Sequence, residues 1–177
     1  MKSYREFVAE AASRSLSRLH GHIEAGHMVG FISAHRGNLS PAENNKRTKE
    51  LKKSLKKHGY TPVRVKGEYI EDHNGKKVRV KEKSFIIHSG QLPRQSGRPK
   101  MDHVRVLRDL KKHGENYDQD TVLSVSKKHG SVFHGTGKSE WVPKGKRARI
   151  GGAGISTKVG DFNSRLKNKK FIVGGGA

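Results

Sequence analysis

The feature that most constrains the fold is a short apolar run in a chain that is otherwise poor in apolar residues. Residues 28–34, Met-Val-Gly-Phe-Ile-Ser-Ala, are nearly all apolar, whereas only 31% of the 177 residues are hydrophobic. A run this short and this rich in strand-forming residues is typical of a strand that is covered on both faces. We therefore expect residues 28–34 to form the central strand of a sheet.

A well-marked helix follows this strand. Ser40 is suited to cap the helix, a proline follows it at the first helical position, and Glu43 completes a capping box. Leu51 and Leu55 continue an apolar stripe, and Lys-Lys-His-Gly at 56–59 places cations and a glycine where a helix normally ends. The pattern predicts a helix that ends near His58.

The middle of the chain predicts a hairpin, a second helix and two more strands. Residues 61–70 and 77–88 alternate apolar and polar side chains on either side of an Asn-Gly pair, which favours a tight turn. Residues 91–100 have two prolines and no periodicity, which indicates a loop. An apolar stripe then predicts a helix that ends in a second Lys-Lys-His-Gly at 111–114. Strands are expected at 121–125 and 131–134, joined at a third copy of the same tetrapeptide, which we interpret as punctuation and not as duplication.

The two ends of the chain differ from this middle part. Apolar residues recur at helical spacing in the N-terminal segment, at Phe7, Ala11, Leu16, Leu19 and Ile23, and predict an amphipathic helix. Glycine and basic residues dominate 135–160 around Trp141, which indicates a long loop or lid, and 171–173 could form a last strand. We therefore expect an N-terminal helix at 1–26, an α/β core domain at 27–134, and a basic, glycine-rich loop with a C-terminal strand or tail at 135–177.

The order of elements predicts the fold class. After the first helix it is β-α-β-β-α-β, the ferredoxin-like arrangement, in which two helices cover one face of an antiparallel sheet. The predicted fold is therefore α+β, with an extra N-terminal helix and a basic C-terminal segment.

The charge and the absent cysteines limit the chemistry. With 38 basic and 16 acidic residues the formal charge is +22, which attracts polyanions. Without cysteine there are no disulfides, thiolate nucleophiles or cysteine–zinc sites. His20, His22 and His27 are not spaced to lie on one helical face, so no metal site is predicted. The sequence has neither a membrane-spanning run nor an apolar signal segment, and we expect a cytoplasmic protein.

Two basic groups could follow a phosphate backbone. One is on the predicted helix after the central strand, and the other is in the glycine-rich segment: Lys46, Lys49, Lys52, Lys53, Lys56 and Lys57; Lys144, Lys146, Arg147 and Arg149. No helix-turn-helix, zinc-finger or RNP-type motif accompanies them. A noncatalytic nucleic-acid-binding or virion-associated protein is therefore one hypothesis for the function.

A polar cluster lies where the central strand becomes a helix. It is Ser-Ala-His-Arg-Gly-Asn-Leu at 33–39, and the unpaired amides of a helix start favour a carboxylate or phosphate there. On the predicted helix, Asn44 lies on the same side as the buried leucines. A polar side chain in such a position needs a structural or functional explanation. Asn44 and Arg36 either bind a ligand or satisfy loop carbonyls.

Acidic residues are few and stand out on the hairpin. Glu71 lies near the tip of the first predicted strand, and Glu82 and Ser84 are two apart on the second, so they face the same way. These carboxylates either serve a site or pair with the many nearby lysines.

Four separated blocks together resemble the phage S-adenosylmethionine hydrolases, now understood as lyases, and related phage proteins. They are Ser33–Leu39 with Asn44 and Arg47 at matching offsets; Gly67–Glu71; Gln119–Leu123; and Phe162–Arg165. The blocks occur in the same order as in that family.

The resemblance implies an α/β fold related to the ferredoxin-like arrangement, a trimer with sites between subunits, and removal of S-adenosylmethionine to counter host restriction-modification. It implies a cofactor-independent cleavage to methylthioadenosine and homoserine lactone. Ser33, Arg36 and Asn38 would hold the methionine part, and Glu71 or Glu82 would be the carboxylate near the sulfonium. The remaining substrate-binding residues that it suggests are His35, Asn44, Arg47, Gln119, Asp120, Asn163 and Arg165.

Overall fold

A computed structural model describes residues 18–73, 76–92, 99–138, 142–151, 153–156, 162–166 and 169–173. These residues form an α+β fold. The helices are α1 (residues 18–24), α2 (Pro41–Lys57) and α3 (Pro99–Asn116), with a 3-10 turn at Ser89–Gln91. The strands are β1 (Val29–Ser33), β2 (Val63–His73), β3 (Lys76–His88), β4 (Thr121–Ser126), β5 (Gly130–Gly135), β6 (Arg147–Gly151), β7 (Ala153–Ser156), β8 (Phe162–Leu166) and β9 (Lys169–Val173).

The described strands pair antiparallel in one sheet, in the order β6-β5-β4-β1-β3-β2-β8-β9-β7. β1 lies between β3 and β4, with Val29 opposite His88 on one side and opposite Val125 on the other. Every residue of β1 is buried. The prediction of a central strand is confirmed.

Helices cover both faces of this sheet. On one face, Leu51 and Leu55 of α2 and Val106 and Leu110 of α3 pack in one cluster with Phe85 of β3. A Cβ at Gly30 would lie 2.5 Å from Leu110 Cδ1, so glycine allows α3 to pack directly on β1. On the other face, Leu19 and Ile23 of α1 pack in a second cluster with Phe31 of β1. The core therefore lies in two layers with β1 between them.

The predicted limits of α2 are confirmed. Ser40 and Glu43 form the capping box, and a proline occupies the first turn. His58 caps the C-terminus, and Gly59 has φ of +90°, a left-handed conformation that favours glycine.

The predicted end of α3 is wrong. The helix continues through His113 and Gly114 to Asn116, and the chain turns at Asp118, which has φ of +50°. A Cβ at Gly114 would lie 2.7 Å from Val122 Cγ1 and 2.9 Å from Thr136 Oγ1, so glycine is needed there for close packing and not to end the helix. Lys-Lys-His-Gly at 111–114 was predicted to end the helix because a helix end and a close packing contact can both require glycine.

The prediction of one long loop over 135–160 is also wrong. β6 and β7 lie within it, and β8 follows in a segment with no predicted element. β6 pairs with β5, and its Ala148 packs against the core cluster that contains α1. An edge strand pairs through backbone hydrogen bonds and needs few apolar side chains. The basic, glycine-rich segment around Arg147–Arg149 therefore gave too weak a strand pattern to be predicted.

Several predictions concern residues outside the described ranges. They include the helical positions Phe7, Ala11 and Leu16, the Asn-Gly turn at 74–75, and Trp141. The hairpin strands themselves are confirmed, and they are longer than predicted. Among the described residues, no helix has the length and apolar character required to cross a membrane.

Candidate functional site

Two loops meet at one end of the central strands. The first loop, residues 34–39, leaves β1 and enters α2, and the second loop, residues 117–120, connects α3 to β4. Because β1 and β4 are antiparallel neighbours with Phe31 opposite Leu123, the end of β1 lies beside the start of β4. Sheet pairing therefore brings together the blocks at 33–39 and 119–123, which are far apart in sequence.

Asn44 holds the first loop in place. Its Oδ1 accepts a hydrogen bond from Arg36 N at 2.8 Å, and its Nδ2 donates to Arg36 O at 2.9 Å and to Leu39 O at 3.1 Å. Asn44 is buried, and these bonds satisfy its amide. Its role in this structure is to shape the loop.

Arg47 connects the two loops. Its Nε donates to Ala34 O at 2.9 Å, and its Nη2 donates to Tyr117 O at 2.5 Å. The guanidinium also lies 5.5 Å from the centre of the Tyr117 ring, within range of a cation–π contact. Arg47 thus fixes the first loop against the second.

Arg36 and Gln119 make the next contacts between the loops. Arg36 Nη1 donates to Asp118 O and lies 3.7 Å from Asp120 Oδ1. Gln119 Nε2 donates to His35 O and to Tyr117 O, each at 3.1 Å. The Arg36 side chain is 34% exposed, so this guanidinium can still accept a ligand from solvent.

Ser33 and His35 line the base of the first loop. Ser33 Oγ donates to Lys83 O at 2.9 Å and accepts from His35 N at 3.0 Å. Burial, with a smaller contribution from the Lys83 charge, lowers the pKa of His35 below its usual value of 6.5. The imidazole of His35 is therefore neutral at neutral pH. Asn38 lies exposed in the turn of the same loop.

Glu82 lies beside this cluster in the same chain. Ser33 is directly opposite Ser84 in the sheet, and Ser84 Oγ donates to Glu82 Oε1 at 3.1 Å. Residues two apart on a strand share a face, so Glu82 lies on the same face of β3 as Ser84, beyond the end of β1. The register therefore places Glu82 at the end of the sheet where the first loop leaves β1.

Glu71 has a different position. It lies in β2 opposite Val78, six residues beyond Val65, which is the residue opposite Ser84. At about 3.3 Å per residue, six residues along a strand span about 20 Å. The structure does not bring Glu71 to the first loop of its own chain, and its side chain lies outside the described ones.

Asn163 and Arg165 lie on β8, opposite Glu68 and Lys66 of β2. β2 separates β8 from β3, so these two residues are two strands away from Glu82. They share the sheet with the loop cluster.

The N-terminus of α2 is occupied by its own side chains. Glu43 Oε2 accepts from Ser40 N at 2.9 Å, and Ser40 Oγ accepts from Glu43 N at 3.3 Å. The capping box thus satisfies the amides of Ser40 and Glu43 within the chain. The predicted anion site at this helix start stays a prediction.

The arrangement offers a partly exposed guanidinium, a neutral imidazole and a carboxylate around one rigid loop. Within the described ranges, no cluster of His, Asp and Glu is arranged to hold a metal ion. Sequence reasoning missed Lys83 and the backbone carbonyls of Tyr117 and Asp118. Lys83 was one cation among many, and carbonyl contacts carry no signal in the sequence.

The two predicted basic groups lie apart. The lysines of α2 are exposed on a helix that contacts the central strand β3, whereas Arg147 and Arg149 lie on β6, an edge strand four strands away. Lys144 is 3.5 Å from Glu115 in an ion pair. The structure therefore does not join the two groups into one surface.

Comparison with known proteins gives two matches. Residues 30–169 match the S-Adenosylmethionine lyase family, and this range contains all the loop, hairpin and β8 residues considered above. Among solved structures, the chain is similar to a phage SAM lyase in complex with S-methyl-5'-thioadenosine, at 21% identity and a TM-score of 0.36, over 63% of this chain and 82% of that chain. A search of curated proteins gives no significant match.

Proposed function

The chain belongs to the S-adenosylmethionine lyase family, and on that premise we propose that it cleaves S-adenosylmethionine into methylthioadenosine and homoserine lactone. The family match over residues 30–169 carries this proposal, since it spans both loops and both candidate carboxylates. In the reaction a carboxylate oxygen of the substrate bonds to its own γ carbon. The bond from that carbon to sulfur breaks, and the electron pair remains on sulfur as a neutral thioether.

The reaction asks for positioning more than for an activated nucleophile. The substrate supplies the attacking carboxylate, so the protein has to hold that carboxylate about 3–3.5 Å from the γ carbon. The negative carboxylate and the positive sulfonium neutralise each other as the bond forms. A site that excludes water therefore favours the transition state over the charged ground state.

The contacts of the loops suggest a division of roles. Arg36, which is partly exposed, binds the substrate carboxylate, and Ser33 and Asn38 flank the methionine part. The neutral His35, Gln119 and Asp120 complete the wall formed by the second loop. Asn44 and Arg47 are positioning residues, because their described hydrogen bonds go to the backbone of the two loops.

We infer that Glu82 is the carboxylate that binds the sulfonium from within the same chain. Its link to Ser33 through Ser84 supports this choice. Glu71, Asn163 and Arg165 are then proposed to contribute from a neighbouring subunit, in a trimer with sites between subunits. Glu71 lies about 20 Å along β2 from Val65, the residue opposite Ser84, and this separation favours a contribution from a neighbouring subunit.

The four central strands support a ferredoxin-like core. Their order, β4-β1-β3-β2, with α2 and α3 against one face, is the order expected for β-α-β-β-α-β. In this proposal residues 27–134 form the core domain.

We propose a biological role against host restriction-modification, exerted in the host cytoplasm by removal of the methyl donor. The family match favours an enzyme over the noncatalytic alternative, a nucleic-acid-binding or virion-associated protein.

The direct test is to incubate the purified protein with S-adenosylmethionine and measure methylthioadenosine by chromatography. We expect product from the wild type and from Arg18→Ala, an exposed arginine on α1 that serves as the matched control. Arg36→Ala should lower kcat/KM on the order of 100-fold, because the reacting carboxylate loses its partner. Absence of product from the folded wild type would contradict the proposal.

Mixing two inactive variants tests the site between subunits. Arg36→Ala and Glu71→Gln chains, unfolded and refolded together, should recover up to about a quarter of wild-type activity if Arg36 and Glu71 meet across a heterologous interface. If both residues act within one chain, the mixture stays inactive. Sedimentation of each variant controls for assembly.

A further inference from the structure

One flank of α2 is lined with lysines and faces the β3 side of the sheet. Leu51 and Leu55 point into the core, and Lys49, Lys52 and Lys56 follow each other at three- and four-residue spacing beside them. Asn45 begins the same row, and its Oδ1 accepts a hydrogen bond from Lys83 Nζ of β3. This contact fixes the direction of the flank.

The sheet continues this positive charge in a single cross-strand row. Lys83 of β3 is directly opposite Lys66 of β2, Lys66 is directly opposite Arg165 of β8, and Arg165 is directly opposite Lys170 of β9. Four register partners in succession are cationic. At about 4.8 Å between strands, the row spans about 14 Å.

Such a row is unfavourable in the free protein. Like charges directly opposite each other on antiparallel strands destabilise the sheet. Lys49, Lys52, Lys56, Lys66 and Lys83 form no ion pair with any carboxylate that the structure describes, and Lys83 is hydrogen bonded to the neutral Asn45. Within the described side chains, these five lysines therefore have no carboxylate partner.

We propose that this basic surface, formed by Lys49, Lys52 and Lys56 of α2 and by Lys66 and Lys83 of the sheet, binds the phosphate backbone of a nucleic-acid duplex. The contact is electrostatic and independent of base sequence, since lysines bind phosphates as point charges. It adds a binding activity to the enzyme and does not depend on turnover.

A duplex fits this surface better than a single strand. Proteins that hold single strands stack bases on exposed aromatic rings. Among the residues whose side-chain burial is described, the large exposed hydrophobic residues are the aliphatic Val63 and Val104, and the Phe and Tyr rings are at least partly buried. The described side chains of the surface are therefore cations without an exposed Phe or Tyr ring beside them.

The test measures fluorescence anisotropy of a labelled 20-base-pair DNA duplex as salt is varied, about 20 base pairs being enough to cover the row. Lys49→Gln, Lys52→Gln and Lys66→Gln are combined in one variant. Lys112→Gln, Lys128→Gln and Lys138→Gln, three exposed or turn lysines outside the surface, form the control, so that both variants carry a formal charge of 22 − 3 = +19. We expect the surface variant to bind at least about tenfold more weakly at low salt, with the slope of log K against log salt reduced by about 2.7.

Three results would overturn the proposal: no duplex binding by the wild type at low salt, equal losses in the surface and control variants, or tighter binding of the matching single strand. Equal losses would mean that net charge alone attracts DNA. Cleavage of S-adenosylmethionine, measured on the same samples, should be unchanged in both variants. Failure of the binding proposal is therefore distinguishable from failure of the proposed function.

Discussion

At the scale of single residues, side chains of similar chemistry have different uses. Asn44 and Arg36 both belong to the polar cluster at the start of α2, yet Asn44 directs its described hydrogen bonds to the backbone of its own chain. Arg36 keeps a third of its side chain exposed. Burial, which the sequence does not state, separates a residue that shapes the loop from one that can bind a ligand.

Asn44→Ala should destabilise the protein by about 1–3 kcal/mol, because it leaves the amide of Arg36 and the carbonyls of Arg36 and Leu39 without their partner. Urea unfolding followed by circular dichroism measures this loss. Asn38→Ala, at an exposed position in the same loop, is the control and should change the free energy of unfolding by less than about 0.5 kcal/mol. Equal effects of the two changes would contradict the assigned role of Asn44.

Histidines on the α1 side make a second residue-scale feature. The rings of His22 and His88 are stacked with their centres 4.0 Å apart, and His27 lies 5.5 Å from His22. Burial, followed by the charges of His22 and His27, lowers the pKa of His88 to about 4. Burial also lowers the pKa of His134 to about 4, with smaller contributions from Lys111 and Arg147.

Stability should therefore fall as the pH is lowered from about 6.5 to about 4. In this window the unfolded chain binds protons at histidines of ordinary pKa, about 6.5, while the folded chain holds His88 and His134 neutral. Above pH 6.5 their contribution is complete, and below pH 4 both states are protonated. Tm measured at pH 7.5, 6 and 4.5 should decrease stepwise, and His88→Gln should make the decrease shallower. A Tm that does not change over this range would refute the prediction.

At the scale of elements, Lys-Lys-His-Gly has more than one use. At 56–59 it ends α2, where Gly59 takes a left-handed conformation, and at 127–130 it turns β4 into β5. At 111–114 it lies inside α3, where Gly114 allows β4 to approach. A local pattern identifies the need for glycine but not the cause of that need.

Two helical glycines give a matched test of this distinction. Gly114→Ala should destabilise the protein by about 1–3 kcal/mol, because the new Cβ overlaps Val122 and Thr136. Gly21→Ala, in α1, has no atom within 4 Å of the new Cβ and should stabilise by about 0.5–1 kcal/mol. Thermal unfolding of the two variants measures both effects. A gain in stability for Gly114→Ala would mean that the close approach of β4 is not required.

At the scale of the whole molecule, a charge of +22 opposes folding through self-repulsion. Raising NaCl from about 0.05 to 0.5 M shortens the screening length from more than 10 Å to less than 5 Å. We therefore expect Tm to rise over this range. Sucrose at matched osmolality controls for effects other than charge, and a Tm that falls with NaCl but not with sucrose would contradict the expectation.

Features that depend on neighbours along the chain could be predicted from the amino-acid sequence. The apolar run of β1, the capping box at Ser40 and Glu43, and the alternation of the hairpin are local patterns, and each gave an element of the right type. β6 and β8 were not predicted because their own residues show no clear strand pattern. They form strands through backbone pairing with neighbouring strands, which a local pattern does not reveal.

The contacts between polar residues depend instead on how the strands pair in three dimensions. Gln119 reaches the carbonyl of His35 because β1 and β4 pair, and Glu82 is bonded to Ser84, which lies opposite Ser33. Contacts over such sequence distances follow from strand order and register, which no local pattern specifies. The family resemblance suggested candidate site residues; the sheet register places Glu82 two residues beyond Ser84, the partner of Ser33, and places Glu71 about 20 Å along β2 from that position.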